Sequence, residues 1–285
     1  MTLQISLDHR AQDLLFNPPD NNGVYDSEQL AYLRELGARR PAVFMAFPPK
    51  AAGTFLRSAV VQATGGDVLR VVYAQGSRDA QLYLPTLIGY YLGGFCAGPM
   101  VTHVHMQAFP VNVAMLEALG IRPVIMLRSI SDMLASYWDM LLSDGDAHMG
   151  INCTIPPDFR TMSDDRKADF MIEVIAPWYA GYYATWLDYA ARTQGRVCVL
   201  DYTSFLDDPA GTLMRLLDHS GLSRTLPQCQ QAIDTVWQKR HSHRFNEGIE
   251  GRSHRYFSVT HLQRIAQLLS FYPSTALHRG ELIGL

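Results

Sequence analysis

Five short apolar runs separated by helical patterns constrain this chain more than any other feature. They are Ala42–Phe47 (AVFMAF), Val68–Tyr73, Met100–His105, Arg122–Leu127 (RPVIML) and Arg196–Leu200 (RVCVL). Runs this short and continuous read as strands buried on both faces. Helical patterns fill the intervals at Thr54–Ala63, Asp79–Leu92, Val113–Leu119, Ile130–Leu142 and Arg166–Arg192. Three more follow at Asp208–Gly221, Gln228–Trp237 and Thr260–Leu269. Strands alternating with helices predict βαβ units, a parallel sheet and right-handed crossovers. A ligand then belongs at the C-terminal ends of the strands, where the loop after Ala42–Phe47 lies. Residues 1–41 are polar, end in Arg39-Arg40-Pro41 and read as a lead-in to one α/β domain spanning 1–285.

Composition narrows the function. With 48% hydrophobic and 18% charged residues, the chain is neither disordered nor fibrous. A net charge of −3 excludes a general binder of nucleic acid or anionic membrane, so phosphate recognition must come from a few placed cations. Lysine is scarce: of 24 basic residues only Lys50, Lys167 and Lys239 are lysine. No leader peptide is expected from Met1–Pro18. Leu82–Met100 is too broken by Pro85, Gly89, Gly93, Gly94, Gly98 and Pro99 to span a membrane. Cys96, Cys153, Cys198 and Cys229 lack metal or redox spacing, so they read as reduced thiols of a cytoplasmic protein without a metal centre.

Two segments carry chemistry. In Phe47-Pro48-Pro49-Lys50-Ala51-Ala52-Gly53-Thr54-Phe55-Leu56 a strand enters a turn of small residues and then a helix. Small residues admit an anion to backbone N–H groups, and the helix start adds a favourable dipole. Lys50 adds a point charge, and Thr54 supplies a cap or a hydroxyl for a phosphate oxygen. Read alone, the segment is equally an ordinary strand–helix turn, and the Walker pattern is absent. Downstream, Arg128 closes the run Arg122–Leu127, and Ser136 follows eight residues later in a helix. The pair suits a terminal phosphate, or else a salt-bridged Arg beside a helix-face Ser.

Together these segments resemble the sulfotransferase family that uses 3′-phosphoadenosine 5′-phosphosulfate (PAPS). Pro49-Lys50-Ala51-Ala52-Gly53-Thr54-Phe55-Leu56 matches the family's strand–loop–helix for the 5′-phosphosulfate, and Arg128 with Ser136-Tyr137 matches its 3′-phosphate motif. The likeness covers about residues 42 to 258. It implies a three-layer fold, a mostly parallel sheet flanked by helices as in P-loop NTPases. It also implies PAPS as donor and adenosine 3′,5′-bisphosphate (PAP) as product. By the resemblance, Lys50, Ala51, Ala52, Gly53 and Thr54 hold the 5′ end, and Phe55 stands where an aromatic stacks on adenine. Arg128 and Ser136 take the 3′-phosphate, and Tyr202 lies near adenine, although Thr203-Ser204 replaces the acidic pair that usually follows. Asn246-Glu247-Gly248-Ile249-Glu250-Gly251 keeps the glycine spacing of a late phosphate-gripping loop but lacks its Arg-Lys, leaving Arg244 or Arg252 as the substitute cation.

Thr102-His103-Val104-His105 offers two candidate bases, at least one of which reads equally as a satisfied core histidine. Alternation puts both imidazoles on one face at a strand end, and a neutral imidazole accepts a proton from a hydroxyl near neutral pH. The resemblance implies a His general base in this region; the residues that follow favour His105, with His103 as second choice or helper. The aromatic stripe Trp178, Tyr182 and Trp186 reads as helix packing, and Ser143–Asp165 as a lid or an irregular loop. The expected activity is sulfuryl transfer to a hydroxyl or amine of a small-molecule or glycan acceptor. The alternatives are a P-loop-like nucleotide kinase and a non-catalytic nucleotide-binding relative. No motif names the acceptor or the oligomeric state.

Overall fold

The computed structural model describes residues 7–17, 25–72, 81–93, 96–143, 153–239 and 251–272. Its strands are β1 (Ala42–Ala46), β2 (Asp67–Val68), β3 (Met100–Val104), β4 (Pro123–Leu127) and β5 (Cys198–Asp201). They form one parallel sheet in the order β2-β3-β1-β4-β5. Val43, Phe44, Met45 and Ala46 are fully buried, as a strand covered on both faces requires. The chain leaves β1 for the β2–β3 side and later crosses to β4 on the other side. Direction therefore switches at β1, and the segments after β1, β3 and β4 open at one edge, where parallel sheets bind ligands.

The helices before β4 are α1 (His9–Phe16), α2 (Ser27–Gly37), α3 (Gly53–Thr64), α4 (Leu84–Tyr91) and α5 (Pro110–Ala118). Those after it are α6 (Ile130–Ser143), α7 (Asp164–Phe170), α8 (Ala176–Thr193), α9 (Tyr202–Asp207), α10 (Pro209–His219), α11 (Leu226–Trp237) and α12 (Val259–Leu269). α3 packs with α10 and α11, α2 with α1, α4 and α5, and α8 with α6 and α12. A π-turn, Met171–Ile175, joins α7 to α8, with the Ala176 N–H reaching back to the Met171 carbonyl. Pro177 has no N–H to donate, and the wider turn absorbs that gap without ending the helix.

Several expected boundaries move. The run Val68–Tyr73 pairs as a strand only at Asp67–Val68; Val72 instead bridges Leu82 in antiparallel fashion, and Tyr73 lies outside the described residues. β2 is an edge strand with Val68 exposed, so little burial sustains it. Of the helix expected over Asp79–Leu92, Asp79 and Ala80 lie outside the described residues, and α4 begins at Leu84 with Pro85 in its first turn. Part of the polar lead-in is structured: Asp8 caps α1, and Asp26 with Gln29 forms a capping box on α2. Tyr32, Leu33 and Leu36 of α2 join the same buried cluster as the strands. In Ser143–Asp165, residues 144–152 lie outside the described part. Phe159–Thr161 forms a 3-10 turn, and Ser163 caps α7. The four cysteines are free thiols. Among the described residues no helix is long and apolar enough to cross a membrane.

Asn112 ties the segments that lead into the site. Fully buried in α5, it accepts the Leu82 N–H at 3.2 Å and donates to the Gln107 carbonyl at 3.0 Å. Asn112→Ala strands both groups, and a loss of about 2 kcal/mol is expected from urea unfolding.

Candidate active site

Lys50 and Ala52 in the loop after β1 adopt left-handed conformations, φ 66° and φ 57°, while Ala51 between them does not. Such residues cost of order 1–3 kcal/mol each and persist where the surroundings impose them. Left-handed residues set between ordinary ones are the backbone pattern from which anion-binding concavities are built. Ala52 is the cap residue of α3, and no side chain caps that helix. Thr54 therefore does not cap it, which removes one of the two roles the sequence offered for it. It lies inside the first turn, which leaves the helix start to an anion.

Gly53 has a definite reason to be glycine: a Cβ there would run into the His103 imidazole. His103 sits edge-on to His105, ring centroids 4.9 Å apart, so both rings share one face as alternation predicts. His105 Nδ1 lies 2.7 Å from the Phe47 carbonyl. A carbonyl only accepts, so Nδ1 carries the proton and the neutral ring's basic nitrogen is Nε2.

Arg128 is only 6% exposed. Its Nη1 donates to the Lys50 carbonyl, and its guanidinium carbon lies 4.0 Å from the centroid of the buried Tyr202 ring. The two expected phosphate motifs thus touch directly. Arg128 Nε has no hydrogen-bond partner among the described residues. Ser136 is buried on α6, near the same helix face as Asp132 and Asp139, four and three residues away.

That face docks the late segment. Asp132 accepts the N–H groups of Gly251 (2.7 Å) and Ser253 (2.9 Å), and Gly251 is left-handed at φ 73°. Arg252 is buried in an ion pair with Asp139, which also accepts the Tyr256 hydroxyl. Arg252 therefore anchors the turn to α6, whereas the sequence made it a candidate nucleotide cation. Gly248 and Arg244 lie outside the described residues. Phe55 also departs from expectation. Its ring is buried edge-on against Phe205 (5.9 Å) and Trp237 (5.8 Å), packing α3 onto α9 and α11.

The sequence read the α8 aromatics as packing, and their hydroxyls were missed. Tyr179 donates to the Pro49 carbonyl at 3.1 Å, and Tyr182 donates to that of Ala46. Tyr183 donates to the carbonyls of Met126 and Arg128 and accepts the Arg128 N–H. Trp186 donates to the Met106 carbonyl at 2.9 Å. One helix thus ties down the segments after β1, β3 and β4. The i, i+3 and i+4 spacing disclosed the helix face but no hydrogen-bond target.

The profile of the sulfotransferase domain family matches residues 97–268, more than half of the chain, and the chain belongs to this family. The match begins downstream of the loop at 48–52. Mouse sulfotransferase SULT7A1, solved with PAP, has a similar fold at 11% identity, with a TM-score of 0.61 over 88% of this chain and 92% of that one. Retinol dehydratase, solved with androsterone and inactive cofactor PAP, aligns over 86% of this chain and 85% of that one at 16% identity, TM-score 0.46. No curated protein sequence matches.

Burial pushes the Tyr182 and Tyr183 hydroxyls well above their ordinary value near 10, so both stay protonated donors. The unfolded chain releases these protons first. Their contribution is therefore complete below about pH 10 and is lost as pH rises further. Urea midpoints are expected to show no tyrosine-linked loss up to about pH 9 and to fall above about pH 10.

Proposed function

We propose that this chain transfers a sulfuryl group from PAPS to a hydroxyl or amine, with His105 as general base and Lys50, the loop amides and Arg128 as the donor's cationic cradle. The observation that carries this reading is the direct contact of the two motifs, Arg128 Nη1 on the Lys50 carbonyl. Sheet order supports it. Across the edge from β3 to β5 come the imidazoles, the left-handed loop residues, Arg128 and Tyr202. The residues fit a nucleotide carrying phosphates at both ends. An uncapped helix start and left-handed loop residues suit one anionic group. A buried guanidinium with an unpartnered N–H suits another. PAP in the crystal structure of sulfotransferase SULT7A1 belongs to the same reading.

The bound donor supplies the sulfuryl group and a bisphosphate that leaves. His105 Nε2 accepts the proton of the attacking hydroxyl, while the Phe47 carbonyl holds the tautomer and stabilises the imidazolium that forms. Lys50 and the amides at the start of α3 take up charge on the departing phosphate. His103, packed over Gly53 and against His105, fixes the ring that does the chemistry. Ser136, Gly251 and Tyr202 frame the 3′-phosphate end, where Arg252 acts through the fold of its turn. We read the acceptor as a small molecule or glycan and the protein as cytoplasmic.

His105→Ala is expected to cut turnover by about 10²–10⁴ while leaving PAP affinity intact, measured by transfer assay and calorimetry. Full rate in His105→Ala together with loss in His103→Ala would move the base to His103. Arg128→Ala is expected to weaken PAP binding about ten- to a hundredfold. Thermal stabilisation by PAP but not by ATP with Mg²⁺ is expected, and the reverse preference would favour a kinase.

A further inference from the structure

We propose that Arg57 and Arg70 form an anion-binding subsite on the acceptor side, so that the acceptor carries an acidic group beside the hydroxyl or amine to be modified. This names a substrate class for the site proposed above and rests on that reading.

The sheet order places the pair. The donor-side groups follow β1, β4 and β5, and the imidazoles lie at the end of β3. Beyond β3 only β2 remains. Asp67 pairs with Met100 and Val68 with Val101, and the Leu69 N–H continues the ladder to the Val101 carbonyl at 3.0 Å. The strand itself ends at Val68; carried on past Leu69, the same register leads to Arg70 on the side of His103. Arg57 arrives from the other direction. It lies one turn after Gly53 on α3, on nearly the same face, and Gly53 is the residue against the His103 ring. At about 4.8 Å per strand, Arg70 stands roughly 10 Å along the edge from the phosphate loop. That is a reach suited to an acceptor and offset from the donor.

Chemistry indicates what the pair would bind. Arg57 is half-buried, and neither Arg57 nor Arg70 has a hydrogen bond or ion pair with any described residue. Five described arginines are ion-paired, Arg10 and Arg39 with Glu35, Arg192 with Asp188, Arg252 with Asp139, and Arg264 with Asp169 and Glu173, while others such as Arg34 and Arg166 are not; Arg57 and Arg70 differ in standing beside the imidazole end of the sheet. Asp67, the acid nearest Arg70 in sequence, accepts the Gly98 N–H at the opposite end of β2. Burial and the charge of Arg70 both push the Arg57 guanidinium below its usual range. Two neighbouring guanidiniums with no counter-charge among the described residues favour an anion, and their forked donors suit carboxylate, sulfate or phosphate.

The test uses matched probes on the full chain saturated with PAP. 4-Hydroxyphenylacetate is compared with its methyl ester, and methyl glucuronoside with methyl glucoside, by calorimetry. At least one acid is expected to bind about tenfold tighter than its neutral partner. The double substitution Arg57→Gln/Arg70→Gln is expected to erase that preference while PAP affinity stays within about twofold. Arg70→Gln alone, at an exposed position, moves the preference in the same direction and serves should the double variant fail to fold. The subsite is overturned by equal binding within both pairs, by binding of neither member, or by a preference that survives both substitutions. Loss of PAP affinity in the double variant overturns it too, since the arginines would then serve the donor. Failure of PAP to bind the unsubstituted protein overturns the donor reading instead, and the acid-against-neutral comparison is then run without PAP.

Discussion

Carbonyl groups at the C-terminal ends of the strands must find donors once the sheet ladder stops, and α8 supplies them. Tyr179, Tyr182, Tyr183 and Trp186 reach from one helix to Pro49, Ala46, Met126, Arg128 and Met106. A buried carbonyl left alone costs about 1–3 kcal/mol, so these contacts hold the strand ends in one arrangement. Burial keeps the Tyr182 and Tyr183 hydroxyls protonated, hence permanently donating. The π-turn before Pro177 lets the helical run continue into α8.

With the strand ends held, sheet order becomes a layout for chemistry. The strained loop at Lys50 and Ala52, the Nδ1-protonated His105 and the buried Arg128 lie after neighbouring strands β1, β3 and β4. α6 has two duties. It carries Ser136, and through Asp132 and Asp139 it docks the turn at Gly251 and Arg252. Acids on the face that carries Ser136 are tolerable because each is already committed, Asp132 to two amides and Asp139 to a guanidinium and a hydroxyl.

Much of this was legible in the chain. The doubly buried runs predicted β1, β3, β4 and β5 to within a residue or two, because continuous short apolar segments have few other uses. The Pro-Lys-Ala-Ala-Gly-Thr segment marked the turn between β1 and α3, and alternation put His103 and His105 on one face. The misses share a cause. Phe55 and Arg252 matched positions of a motif, but what each touches depends on elements distant in sequence, Phe205 and Trp237 for one and Asp139 for the other. β2 was overextended because an edge strand loses the burial that makes such runs reliable. Thr54 was read as a cap or as a hydroxyl for a phosphate oxygen; the cap position falls two residues earlier, on the left-handed Ala52.

The linear order of residues thus determined which groups are available: a lone Lys before Gly-Thr, an Arg at a strand end, two alternating imidazoles. It determined the βαβ rhythm as well, since periodicity and burial are local properties. Only the folded chain decided which nitrogen of His105 is basic, that Arg128 rests on the Lys50 carbonyl, and that Arg252 meets an aspartate. Hydrogen-bond partners are chosen by three-dimensional proximity among segments tens of residues apart, and no local pattern encodes that choice.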